Sequence, residues 1–501
     1  MTLRSIAFVL LLASCAMAQV LRVPSQYPSI GAALAAAASG TTILVAPGTY
    51  SERLSWPPVD GVRLIAEQGA ATTVLDGAFG GTVVEFTWAG LTPATVLQGF
   101  TITNGLLAAP ASAGAGVAVR SGAPTIAHNR ITGNRCVGSG TNRGAGLAIL
   151  GADSHPKVFY NEIDGNELRD GTRAEGAGIC VADAGSTTFL LGNRIHDNRI
   201  GSTSAAPHTG RGAGIYFAGV ACAASGNMIT RNRCTANVTN FGGGVMVDSG
   251  SNVRLSNNTI ADNAVAGTQR RGGGVYIDGT CIVQLWGSII ATNSDEGIAR
   301  GPTSPAYVAL NANDVWGNPG GDYVNLPPGI GDISADPQFV GGSDYHLLPG
   351  SPCIDNHAWA APSAWTDVDG DSRLLDASLG TGPTPIRYDI GADEAAATRL
   401  TRIGSPRIGT TFSWVVSSSQ PATFALAFAF ERANQPLGSF GVVLIEQAQA
   451  VIAAFGTTPG GAGVSLPNAP TLRGVRLFAQ GLTLFGPTVG QLTNLDEITV
   501  Y

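Results

Sequence analysis

The chain has 501 residues, of which 13% are charged and 68 are glycine, and its formal net charge is −7. Such a composition excludes an electrostatic nucleic-acid binder and a disordered chain, and points to turn-rich β structure. The length suggests two to four domains, although a repeat protein can exceed that as one unit.

The first residues, MTLRSIAFVLLLASCAMAQV, carry one basic residue (Arg4), an apolar run from Ile6 to Ala13 and a small-x-small site at Ala16-Met17-Ala18. This is the layout of a secretory signal peptide over 1–18, with a mature chain starting at Gln19. A second reading stays open, because LASC (Leu12 to Cys15) also fits a lipobox that would anchor the protein through Cys15. No later apolar run reaches the ~20 residues of a membrane span. Secretion as a monomer is the expectation. In the next stretch Ser29 is placed to N-cap a short helix with Ile30, Ala33, Leu34 and Ala37 on one face.

Internal repeats dominate the middle of the chain. Asn-x-Ile-x-x-Asn recurs at Asn129/Asn134, Asn161/Asn166, Asn193/Asn198, Asn227/Asn232 and Asn258/Asn263, then with substitutions at Ser288/Asn293 and Asn313/Asn318. Glycine triplets keep the same period, starting at Gly114, Gly144, Gly176, Gly212, Gly242 and Gly272. After each triplet an apolar column (Val117, Leu147, Ile179, Ile215, Val245, Val275) alternates with outward residues, the pattern of strands with one buried face. A lone strand cannot bury that face, but equivalent strands stacked at ~4.8 Å form a continuous core. The architecture expected is a parallel β-solenoid, with the repeated asparagine in a left-handed turn and its amide bonded to the coils above and below.

These rungs resemble the right-handed parallel β-helix repeats of the pectin-lyase-like superfamily. The resemblance covers about residues 21 to 394 and includes the capping helix over the first coil. ADPQFVGGSDYHLLPGSPCID (Ala335 to Asp355), DVDGDSR and DIGADE resemble the closing segment of many secreted bacterial β-helix proteins. We therefore expect a β-helix over 19–396, its closing segment at about 301–396, and a C-terminal β-rich domain over 397–501. That last part, with GSPRIGTTF, resembles accessory modules on secreted proteins of planctomycete-like bacteria, and its strand-like pieces suggest a small β-sandwich.

The resemblance implies two functional classes. One is a polysaccharide lyase or glycoside hydrolase, but the polygalacturonase and pectinesterase motifs are absent and Lys157 is the only lysine. Asp197, Arg231 and Asp262 share one free position of the rung on successive coils, beside His196. The two aspartates, ~9.6 Å apart by stacking, approach the carboxyl spacing of inverting glycosidases. Arg231 between them favours instead a salt-linked ladder, because it would keep both ionised. The other class is an adhesin-like or matrix protein that binds an extracellular polysaccharide or cell-surface component. It draws on loops rich in Arg130, Arg135, Arg143, Arg173, Arg199, Arg211, Arg233, Arg270 and Arg271, able to meet acidic sugars bidentately.

Three further expectations concern single positions. Asp367, Asp369 and Asp371 alternate as in a calcium loop, although no glutamate follows at the twelfth place; a polar closing turn is the competing reading. Cys136 and Cys234 stand three coils apart, ~14 Å by stacking, too far to pair, so the six cysteines after residue 18 should be free thiols. Outward from the strand after each triplet come Tyr216, Met246 and Tyr276. With Arg211 and Arg271 beside them they form a possible glycan-stacking platform, unless a folded-back loop or the C-terminal domain covers the rings.

Overall fold

A computed structural model describes residues 19–500, except 184–185, 204–207, 349, 357–365, 371–372, 374–387, 396–397, 419–421, 437–441, 485–489 and 494. The signal-peptide stretch, Cys15 and Asp371 lie outside the described residues. Near the start, helix α1 (Ile30–Ala36) is capped as its sequence requires: the Ser29 hydroxyl accepts from the Ala32 amide at 3.1 Å. A second cap comes from 22 residues away, where the Glu52 carboxylate accepts from the amides of Ile30 and Gly31. Ile30, Ala33 and Leu34 are buried against the first coil.

The middle coils visit five sheets in order, shown by the coil Thr125–Ala127 (sheet 1), Arg130–Thr132 (sheet 2), Arg135–Cys136 (sheet 3), Thr141–Arg143 (sheet 4) and Leu147–Leu150 (sheet 5), and the first and last coils visit only sheets 1, 2 and 5. Every strand pairs in parallel with its counterpart one coil on, giving sheets of 11, 10, 6, 6 and 10 strands. Ile131, Ile163, Ile195, Ile229 and Ile260 form one stacked column, each fully buried. Sheets 1, 2 and 5 enclose the main core. Sheets 3 and 4 are an excursion between sheets 2 and 5 with a smaller core of its own, built on Cys136, Leu168, Ile200, Cys234 and Val265.

The asparagines form two buried ladders, one between sheets 1 and 2 and one between sheets 2 and 3. In each asparagine-to-asparagine step the amide Nδ2 donates to the Oδ1 of the next coil's residue, as from Asn198 to Asn232 at 3.0 Å, and to a backbone carbonyl, here Ile163 at 2.8 Å; at Ser288 the hydroxyl instead accepts the Asn258 backbone amide. The ladders end on carboxylates, Asp332 and Asp322. One expectation is corrected: the left-handed position is the residue before each ladder asparagine, such as Asp197 (φ 54°), Arg231 (φ 55°) and Asp262 (φ 56°). The turn is made by that outward residue so that the asparagine itself can point inward and stack.

All six described cysteines are free and buried. Cys136 and Cys234 occupy one column of sheet 3 with Leu168 and Ile200 between them. Burial pushes the Cys136 thiol up to about 12. The chain lacking residues 1–18 should therefore show almost no thiol reactivity at neutral pH while folded, and six thiols after unfolding without reductant; fewer than six would reveal a disulfide.

The closing segment does not simply cap the solenoid end. It folds back across the outer face of sheet 2, where Met228, Ala261, Ile289 and Ala291 are outward-facing yet buried under Tyr345, Leu347, Val368, Ile390 and Ala392. Hydrogen bonds fasten it along the solenoid, from Tyr160 (to Thr366, 2.6 Å) through Thr259 (from Ala392, 3.0 Å) to Asp314 (from Cys353, 3.1 Å). From Thr398 the strands are antiparallel. A three-stranded and a five-stranded sheet share a core around Trp414, Phe412, Phe424, Leu426 and Ile498, a small β-sandwich. Among the described residues no helix is long and apolar enough to cross a membrane.

Candidate functional site

The turn between sheets 2 and 3 brings the sequence's candidate catalytic residues together unevenly. Arg231 grips Asp197 with both arms of its guanidinium, at 3.1 and 2.6 Å. His196 lies between two carboxylates, its Nδ1 2.9 Å from Asp197 and its Nε2 3.3 Å from Glu162. Burial works against the imidazolium, but these two hydrogen bonds prevail and raise its pKa. Burial likewise opposes the Asp197 carboxylate, and the hydrogen bonds from Arg231 and His196 hold it below the usual range. Asp262 does not join them: it accepts from Thr292 at 2.6 Å and from Tyr345 of the closing segment at 2.8 Å. The expectation that Arg231 pairs with both aspartates is corrected, because Tyr345 and Thr292 occupy the second.

The expected platform is corrected as well. Tyr216, Met246 and Tyr276 do point away from the main core, but they are only 2%, 1% and 4% exposed. Sheets 4 and 5 meet at a re-entrant corner, so the end of the sheet 4 strand lies over the sheet 5 side chains. Phe241 stacks on Tyr276 with ring centroids 4.8 Å apart. Arg173 donates to the Tyr216 hydroxyl at 3.2 Å, and that hydroxyl donates to Asp248, which also pairs with Arg211. Arg271 pairs with Glu296 at 2.9 Å, and Arg143 with the fully buried Glu175 at 2.7 Å. The corner is a packed, charge-balanced ladder with no open ring face.

Of the three alternating aspartates Asp371 lies outside the described residues, and the other two, Asp367 and Asp369, turn apart. Asp367 is fully buried and accepts the amides of Asp369 and Glu394 at 2.9 and 3.0 Å, which makes it the internal brace of the turn. Asp369 swings the other way, one oxygen on Arg194 and the other on His346 Nε2. The hydrogen bond to Asp369 outweighs burial and pushes His346 up to about 10. His346, Asp344 and Asp393 were not singled out from the sequence, because DYH and DIGADE lie far apart in the chain, with 46 residues from Leu347 to Asp393.

Among the described residues two open surfaces bear on binding. A cavity of about 580 Å3 lies where sheet 2, the closing segment and the C-terminal domain meet, and its wall mixes Arg130, Arg194 and Arg432 with Glu162, Asp369 and Glu497. That mixture selects neither charge. The outer face of sheet 3 is different, since its register sets Arg135, Glu167, Arg199 and Arg233 in one column on consecutive coils. Glu167 is engaged by Arg169 at 2.7 Å and by Arg135 at 3.5 Å. Arg199 and Arg233 are exposed, adjacent, and pair with no carboxylate among the described residues. These two belong to strands and not to loops, as the Asn-Arg pairs Asn134-Arg135, Asn198-Arg199 and Asn232-Arg233 already hint.

No curated protein matches the chain. Among solved structures, the enzymatically active domain of tailspike protein 4 of bacteriophage CBA120 is similar at 12% identity, with a TM-score of 0.25, over 94% of this chain. The chain spans 65% of that structure's length. The family described as "Right handed beta helix region" matches residues 172–326, and the fold is a right-handed parallel β-helix followed by a small antiparallel β domain.

Proposed function

We propose that this is a secreted, monomeric β-helix protein that binds acidic extracellular polysaccharide along the outer face of sheet 3. The observation that carries the reading is the Arg199/Arg233 pair. Like charges side by side on neighbouring strands repel, and here no described carboxylate offsets them. A polyanion would, and guanidinium groups suit carboxylates because they donate two parallel hydrogen bonds. On neighbouring coils the two groups stand ~4.8 Å apart, so adjacent acidic sugars of a linear chain can meet Arg199 and Arg233 in turn. Cleavage is the weaker reading, since the candidate catalytic carboxylate Asp197 is held ionised by Arg231 and His196.

Affinity electrophoresis of the full chain in gels containing polygalacturonate, alginate or a neutral cellulose-type polymer tests this. The parent should be retarded by the acidic polymers alone, and Arg199→Ala/Arg233→Ala should lose about tenfold or more in affinity, as expected when two charge-assisted contacts go. Equal retardation of parent and double variant, or retardation by the neutral polymer alone, would overturn the proposal.

A further inference from the structure

The closing segment gathers a histidine and two aspartates whose inner polar atoms converge, two of them, His346 Nε2 and Asp369 Oδ2, already sharing a hydrogen bond. His346 Nε2, Asp369 Oδ2 and Asp393 Oδ1 are donated by three separate stretches of chain, yet all lie within 4.8 Å of one another. The other polar atom of each side chain is already held. Asp344 sits on His346 Nδ1, Arg194 donates to Asp369 Oδ1, and the Leu347 amide donates to Asp393 Oδ2 at 3.0 Å. A carboxylate behind a histidine fixes its tautomer and aims the far nitrogen, the usual support of a metal-bound imidazole.

Charge and burial point the same way. The Asp393 side chain is 8% exposed, and among the described residues its Oδ1 accepts no hydrogen bond, with His346 Nε2 4.0 Å away and beyond that reach. A carboxylate so largely buried favours a cationic partner. Among the described residues the carboxylates of Asp344, Asp369 and Asp393 outnumber the arginines beside them, Arg194 and Arg373, and Arg373 also pairs with Glu394 at 3.2 Å.

We propose that His346, Asp369 and Asp393 bind a divalent transition-metal ion of the zinc type, with Asp344 and Arg194 as orienting partners. One nitrogen and two carboxylate oxygens suit such an ion better than calcium, which takes six to eight oxygens. Because His346 is partly exposed, a fourth position is open to water. The ion would replace the proton shared by His346 and Asp369, releasing it to solvent. It would tie the hairpin carrying His346 to the turn at Asp369 and, through Arg194, to sheet 2.

The test uses the full chain after chelator treatment, titrated calorimetrically with zinc chloride and, separately, calcium chloride. One zinc ion should bind per chain, and saturating zinc should raise the Tm. Asp344→Asn, which leaves all three ligands in place, should weaken zinc about 10-fold to 100-fold, and His346→Ala should abolish that binding. If the parent takes up no zinc, the cluster is an ion-pair network only and the proposal fails. It fails equally if zinc binds with unchanged affinity to His346→Ala, or if calcium binds and zinc does not. Far-UV circular dichroism of each variant guards against reading misfolding as lost metal, and the parent titration decides the matter even where a variant does not fold.

Discussion

Asn232→Ala is expected to lower the stability of the chain by about 3 to 5 kcal/mol, far more than a surface substitution. In the folded protein the Asn232 amide donates to the Ile195 carbonyl at 2.8 Å and to Asn263 at 3.0 Å. Its oxygen accepts from the Asn198 backbone and side chain at 3.1 and 3.0 Å. Every one of these partners is fully buried, so water cannot replace the lost side chain. Removing it orphans one buried carbonyl and two buried donors, each costing about 1 to 3 kcal/mol before partial relaxation. Urea unfolding measures the total, and hydrogen exchange at the Asn198 amide localises it. A loss no greater than that of Asn252→Ala, an exposed residue of sheet 1, would mean that the ladder does not hold the coils together.

Gly214→Ala should be of comparable severity, at about 3 kcal/mol, for a steric reason. The glycine is the third of its triplet, and a Cβ there would stand 2.5 Å from the Gly244 carbonyl oxygen and 2.9 Å from Ile229 Cγ2. The coil cannot move away cheaply, because the Gly214 and Ile215 amides are bonded to the next coil at 3.2 and 2.9 Å. Gly178 and Gly244 face the same obstruction, at 2.6 and 2.8 Å. Gly463→Ala is the control: nothing lies closer than 3.7 Å to its Cβ position and its backbone is not left-handed, so it should cost less than about 1 kcal/mol. A Gly214→Ala protein that unfolds at the parent's urea midpoint would show that the triplets are not demanded by coil-to-coil contact.

These two substitutions also mark how far the amino-acid order is legible. In a solenoid each coil contacts chiefly its neighbours, so a residue needed at one place in a coil is needed at that place in the next. The asparagine ladders, the isoleucine column and the close-contact glycines therefore show as a period, and the Asp197-Arg231 pair follows from the same register. Arg199 and Arg233 were visible in the same way once their strand was placed, since each follows a ladder asparagine.

Periodicity carries no information about what lies over the outer faces. An outward side chain is exposed or buried according to segments far away in the sequence, and those contacts occur once. Tyr216 and Tyr276 obey the alternation and are still buried, because sheet 4 turns back onto sheet 5. Asp262 sits in register with Asp197 and still bonds elsewhere, to a tyrosine 83 residues on. Asp369 leaves its own loop for Arg194, 175 residues earlier, and for His346. By itself, then, the sequence determined the coil, its core and its two ladders, all made of contacts between equivalent positions one turn apart. Only the tertiary structure decided which lateral surface stays open, which is sealed by the returning segment, and where carboxylates and histidine converge, because each of these depends on a single long-range packing that no repeat encodes.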